Sequence, residues 1–97
     1  MIVNHKKVTA SGSICDGSCI MTGFLIGTDG VNDPTVTIYD NNNAASGNEV
    51  VPTNTYDASL LGLNGVPFGI GVACARGVWC EISCAGAVEV VIYYVHN

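Results

Sequence analysis

Positive charge is nearly absent from this chain. Of 97 residues only Lys6, Lys7 and Arg76 are cationic, against eight Asp and Glu, and the formal net charge is −5. Nucleic-acid binding relies on clustered Lys and Arg facing phosphates, and anionic lipid surfaces attract the same groups. Neither nucleic acid nor a membrane surface is therefore an expected partner. Charge of either sign is scarce, at 11% of residues where ~25% is usual. Histidine is limited to His5 and His96, near the two ends of the chain. A nucleophilic cysteine needs a base such as histidine, so no catalytic Cys–His pair is expected. Long apolar runs are missing too. The longest uncharged stretch, Ala58 to Ala75, contains Asn64, Pro67 and several glycines, and reads as loop and strand instead of a membrane span. The residues after Lys7, Val8 to Ser13, are not the apolar region of a signal peptide, so synthesis in the cytoplasm is expected. No glycine signature of a phosphate or dinucleotide loop is present, and no cofactor is expected. Linkers, low-complexity tracts and useful repeats are absent as well.

What remains is apolar and glycine-rich: 48% hydrophobic residues and 12 glycines. The length suits one domain, residues 1–97. A small domain with so few charges leaves much of its surface neutral or apolar. Burying part of that surface against a partner is the simplest way to keep it soluble.

The dominant period is two, the period of a strand. Thr35 to Tyr39 alternates, with Val36 and Ile38 on one face. Val78, Cys80, Ile82 and Cys84 alternate against Trp79, Glu81 and Ser83. In Val88 to Val95, one face carries Val88, Val90, Ile92 and Tyr94, and the other Glu89, Val91, Tyr93 and Val95. Both faces are largely apolar, although only one face of an antiparallel sheet normally meets its core. The second face therefore needs cover from a loop or a neighbouring subunit. Cys19 to Gly27 reads as another two-faced strand, with Ile20, Phe24 and Ile26 set against Met21 and Leu25. Lys6 to Ile14, Glu49 to Thr55 and Phe68 to Ala75 are further strand candidates.

Turn residues separate these runs, among them Asp16-Gly17, Asp29-Gly30, Asn32-Asp33-Pro34, Asn64-Gly65 and Arg76-Gly77. They supply positive φ or side-chain bonds to the turn backbone. A turn about every 8–12 residues is the rhythm of a sandwich or barrel. The expected fold is all-β: a single antiparallel β-sandwich or jelly-roll-like barrel of about seven to eight strands. Tyr56 to Leu61, capped by Gly62, is the one helical candidate, a turn or two long.

The five cysteines are Cys15, Cys19, Cys74, Cys80 and Cys84. An odd number without a secretion signal argues against a full disulfide framework. Two Cys-x3-Cys pairs superficially suggest zinc. On a strand, however, residues four apart lie ~13 Å apart, whereas two ligands of one zinc must lie within ~4 Å of each other. Cys80 and Cys84 are read as small core residues, and no metal site is expected. If a disulfide forms, it would join Cys15 to Cys19 across a hairpin at Asp16-Gly17-Ser18, or Cys74 to Cys80 across the Arg76-Gly77 turn.

Most aspartates sit beside Gly, Asn or Pro, where turn-building accounts for them without acid–base chemistry, so no catalytic residue is expected. Asp29 to Asp33 and Asp40 to Asn43 are oxygen-rich, but neither has the spacing of a calcium loop. The aromatic residues Trp79, Tyr39, Tyr93 and Tyr94 fit either a sugar-stacking platform or an interface, which enriches such side chains. Val91, Tyr93, Val95, Trp79 and Tyr39 are the candidate assembly-interface residues.

Several phrases carry a resemblance: Thr22 to Gly30, Asn32 to Asn41, Ala45-Ser46-Gly47 with Val51-Pro52-Thr53, and Ala85-Gly86-Ala87 leading into Val91-Ile92-Tyr93-Tyr94. Across Ser13 to Val95 the chain resembles small structural proteins encoded among tailed-bacteriophage morphogenesis genes. The resemblance implies a virion protein, most often a capsid decoration or cement protein working as a homotrimer on the major capsid protein. Its alternative is a tail or fibre module that binds a host receptor or glycan. It brings no catalytic residues.

Overall fold

A computed structural model describes residues 3–59 and 63–96, with residues 63–70 as backbone alone. Eight strands follow in order: β1 (Asn4–Val8), β2 (Gly12–Asp16), β3 (Cys19–Thr28), β4 (Thr35–Tyr39), β5 (Glu49–Thr55), β6 (Leu63–Cys74), β7 (Gly77–Ser83) and β8 (Val88–His96). One four-stranded sheet runs β1-β8-β3-β6 and the other β2-β7-β4-β5. Every ladder is antiparallel. The expected antiparallel sandwich is therefore what forms, and no helix occurs among the described residues.

The order of pairing is specific. β4 pairs with β5, β3 with β6, β2 with β7 and β1 with β8. These four rungs make one long two-stranded ribbon, with β4 and β5 at its closed end. Folding the ribbon over puts rungs one and three in one sheet and rungs two and four in the other. The ladders β3·β8 and β4·β7 then seal each sheet. This is the strand order of a jelly roll.

Alternation sorts the side chains. From β8, Val88, Val90 and Ile92 are buried between the sheets, and from the other layer Val36, Ile38, Val78 and Cys80 meet them. Strand β3 does not keep one alternation throughout. Cys19 and Met21 face the core near its start, and Phe24 and Ile26 do so near its end. Between Met21 and Gly23 its register against β8 slips by one residue. Such a bulge swaps the faces of everything beyond it. The expected grouping of Ile20 with Phe24 and Ile26 is thereby corrected: Ile20 stands outward and Met21 inward.

Two other boundaries differ from expectation. The run Lys6 to Ile14 is broken at residues 9–11, where the chain crosses from one sheet to the other. Strand β6 begins at Leu63 and takes in Asn64-Gly65, which reads locally as a turn; pairing with Gly27, Ile26 and Leu25 keeps it extended. Residues 56–59 form no helix, and the remainder of that helical candidate, 60–62, lies outside the described residues.

Gly77 shows why a glycine is needed at one tight place. Its φ is +142°, and a Cβ there would run into the carbonyl oxygen of Cys15 on the neighbouring strand. Only glycine adopts this backbone cheaply and also leaves that space empty.

Candidate functional site

The two outer faces of the sandwich differ in chemistry. On the β1-β8-β3-β6 sheet, Leu25 lies opposite Val91 and Ile20 opposite Val95. Directly opposed residues share a face, with Cβ atoms ~4.5–5.5 Å apart, so these four form a continuous apolar strip. Tyr93 stands in the same outward row, opposite Gly23 on β3 and His5 on β1. Gly23 has no side chain to cover the ring, which is 36% exposed. The His5 ring lies 6.5 Å from it, tilted. Charge is kept to the β1 side, where Lys7 reaches Glu89 at 3.4 Å in an exposed pair.

The outer face of the other sheet is polar and aromatic. Tyr39 and Trp79 are partners in the β4·β7 register. Trp79 Nε1 donates to Glu81 Oε1 at 3.1 Å. Beside them run two threonine pairs, Thr37 with Thr53 at 2.7 Å and Thr35 with Thr55 at 2.8 Å. The five candidate interface residues thus divide, with Val91, Tyr93 and Val95 on one outer face and Tyr39 and Trp79 on the opposite one.

The carboxylates serve the turns. Asp29 Oδ1 accepts from the backbone N–H groups of Val31 and Asn32, and its Oδ2 accepts from Asn32 Nδ2. These bonds to Asn32 and Val31 hold the Asp29 carboxyl down at about 2, because they favour the charged form. Asp40 accepts from the backbone N–H groups of Ala75 at 3.1 Å and Arg76 at 2.9 Å. It lines a shallow depression of about 290 Å³ with Gly47, Asn48, Ala75 and Arg76. Asp33 accepts from the Ala58 N–H, and Asp57 from Ser59. Among the described residues, no three His, Cys, Asp or Glu side chains are placed to hold one metal ion.

The cysteines are all free, and the hairpins expected to bring pairs of them together do not exist. Cys15 and Cys19 lie on strands of different sheets, as do Cys74 and Cys80. The register instead sets Cys19 opposite Cys74 on one side and opposite His96 on the other. A row of Cys74, Cys19 and His96 therefore crosses three strands of one sheet. Cys15 reaches it from the other sheet, with its Sγ 3.7 Å from His96 Nδ1. The chain-end position of His96 gave no reason to expect a cysteine beside it, yet β8 carries His96 the length of the sandwich to this end. The imidazole packs edge-on against Tyr94, centroids 5.3 Å apart.

Burial pushes the Cys19 thiol far up, and neighbouring Cys15 adds to it. Burial, then the nearby Asp40 charge, raises Cys74 to about 11. Burial in the core raises Cys80 to about 12. All three are thiols at neutral pH. Cys84 is half-exposed just beyond β7, where its thiol donates to the Asn32 carbonyl.

Comparison of the chain with family models, with curated proteins and with solved structures finds no match.

Proposed function

We propose that this chain is a non-catalytic structural protein of a bacteriophage particle, a capsid decoration or cement protein that works by packing against its own copies and the major capsid protein. The observation that carries this reading is the apolar outer strip of Ile20, Leu25, Val91, Tyr93 and Val95. The strip is central in its sheet and its own side chains carry no charge, with the Lys7–Glu89 pair at its border beside Val91. This fits a surface made to be covered by another subunit, with a polar rim. The resemblance across Ser13 to Val95 supplies the phage context, and eight-stranded jelly rolls recur in viral shells. The scarcity of charge over the whole chain fits the same use. Burial at ~25 cal/mol per Å² makes each contact modest, and many copies on one shell then hold by avidity.

Light scattering on the reduced chain tests the proposal. A trimer or other closed oligomer is the expected result. Tyr93→Asp should dissociate it into a folded monomer, because the ring is exposed on the outer face. A wild-type chain that stays monomeric at high concentration would remove the basis for subunit packing.

A second reading rests on the opposite face. Tyr39 and Trp79 side by side, flanked by Glu81 and threonine hydroxyls, offer stacking and hydrogen bonding of the kind a sugar ring uses. In that reading the protein is a tail or fibre module. A glycan array positive for the wild type and negative for Trp79→Ala would favour it over the cement role.

A further inference from the structure

The thiol row at one end of the sandwich goes beyond any packing role and is independent of it. Four oxidisable or proton-accepting side chains from four strands are gathered there: Cys19 of β3 is register partner to Cys74 of β6 and to His96 of β8, and Cys15 of β2 contacts His96 and Cys19. Cys19 and Cys74 have no exposed surface, whereas Cys15 keeps 3%. Cys15 is also the thiol within reach of a base, with His96 Nδ1 at 3.7 Å. His96 itself is exposed, which brings this pair to the rim of the molecule. The Cys15 thiol has a second contact, to the Gly17 carbonyl at 3.7 Å. Asp40, Cys19, Cys74 and Tyr94 are the other titratable groups around the row.

We propose that Cys15 is an oxidation site for a small peroxide, and that its oxidation closes a Cys15–Cys19 disulfide tying the two sheets together. In the first step the Cys15 proton passes to His96 Nδ1 and the sulfur attacks one peroxide oxygen. The O–O bond breaks, an S–O bond forms, and the leaving oxygen takes the proton from His96; with hydrogen peroxide it departs as water. Cys15 is then a sulfenic acid. In the second step the Cys19 sulfur attacks the Cys15 sulfur. The S–O bond breaks, the S–S bond forms, and hydroxide leaves with the Cys19 proton as a second water. Two thiols lose two electrons and the peroxide gains them.

Two features give the site its selectivity. Although they stand on different sheets, the Cys15 and Cys19 thiols are hydrogen-bond partners. His96, 3.7 Å from Cys15, is also the register partner of Cys19, so the second thiol adjoins the first before oxidation begins. Cys19 is held protonated by its burial, which makes the second step the slower one, because the thiolate is the attacking form. The sulfenic acid therefore persists long enough to be trapped by dimedone. Cys80 lies in the core, away from the row, and Cys84 lies beyond β7, so neither takes part.

The experiment is titration of the reduced full chain with hydrogen peroxide, read by intact mass and peptide mapping. The expected product has lost two hydrogens, with the disulfide mapped to Cys15 and Cys19, and Cys74, Cys80 and Cys84 still open to alkylation after unfolding. Cys19→Ser should stop at a dimedone-trapped Cys15, while Cys74→Ser should still form the disulfide. His96→Ala, at the exposed last paired position of β8, should slow Cys15 oxidation on the order of tenfold or more. Oxidation confined to Cys84, a disulfide mapped to Cys19 and Cys74, or an unchanged rate in His96→Ala would each overturn the assignment. If Cys19→Ser fails to fold, Cys19→Ala replaces it, and the mapping and rate measurements on the wild type and His96→Ala stand without either.

Discussion

Val90 and Val91 are adjacent in the chain, identical in chemistry, and carried by the same central strand. Val90 has no exposed surface and packs against the core between its register partners Val8 and Ile26. Val91 points the other way, half-exposed between Lys7 and Leu25. Truncating each to alanine separates the core face from the outer face with side-chain chemistry held constant. For Val90→Ala, the lost transfer energy is ~1.6 kcal/mol at ~0.8 kcal/mol per buried group. A residual cavity adds about 1 kcal/mol more, since strands on both sides keep the site from collapsing. The sum, about 2.5 kcal/mol, is a large share of the ~5–15 kcal/mol that stabilises a domain. With a urea m-value in the ~1–3 kcal/mol/M range of small domains, the midpoint should fall by about 1.5 M. Val91→Ala loses only part of its transfer energy and opens no cavity, so its cost in dilute monomer should stay under ~0.8 kcal/mol. Urea melts followed by tryptophan fluorescence read both values, with Trp79 on the far sheet as the reporter. At high protein concentration Val91→Ala should weaken self-association, while Val90→Ala should not. Equal losses in dilute monomer would mean that the chain covers its own outer face, and the reasoning about the apolar strip would fail.

Two further outcomes follow from the turns. Gly77→Ala should cost at least ~2 kcal/mol, from left-handed backbone strain and the collision with the Cys15 carbonyl. Gly12→Ala, where a Cβ would meet nothing within 4 Å, should be near neutral, and a thermal melt of the pair makes the comparison. Asp29 is depressed to about 2 by its bonds to Asn32 and Val31. A carboxyl lowered in the folded state contributes stability that is present above its unfolded value, ~3.9, and is lost as the pH falls through about 2. Asp29→Asn should therefore flatten the acid limb of stability between those two values and leave the slope at neutral pH unchanged, as denaturant melts across that range would record.

How far the sequence could be read depended on the range of the forces involved. Thr35–Tyr39 and Glu49–Thr55 were legible to the residue, because alternation and flanking turn residues agree there. Strand β8 was legible with its two faces, since Val88, Val90 and Ile92 keep strict period. Strand β3 was legible as a strand but not in its facing, because nothing local announces the extra residue near Thr22. Leu63 to Pro67 is not legible as strand for the opposite reason: Asn64-Gly65 is a strong local turn signal, and pairing along β3 overrides it. The thiol row was invisible. Its members stand at positions 15, 19, 74 and 96; the register of β6, β3 and β8 aligns three of them, and the packing of the other sheet brings Cys15 to them. The Cys15–Cys19 spacing is visible in the sequence, but nothing local links His96 to it, and in this topology the end of β8 is the position that meets both.

The ribbon pairing has a kinetic consequence. Among the described strands, only β4 and β5 are neighbours both in the chain and in a sheet. Every later rung joins segments progressively farther apart, so closure proceeds outward against a growing loop entropy. Such non-local topology belongs with the slow folders, in milliseconds to seconds. The central ladder of one sheet, β3 with β8, also waits for the final strand. While the chain emerges from a ribosome, Phe24 and Ile26 have no β8 partners until residues 88–96 are made. The nascent protein therefore passes through a stage with half a sandwich open to water, and its yield in cells should depend more on chaperones and temperature than its final stability would suggest.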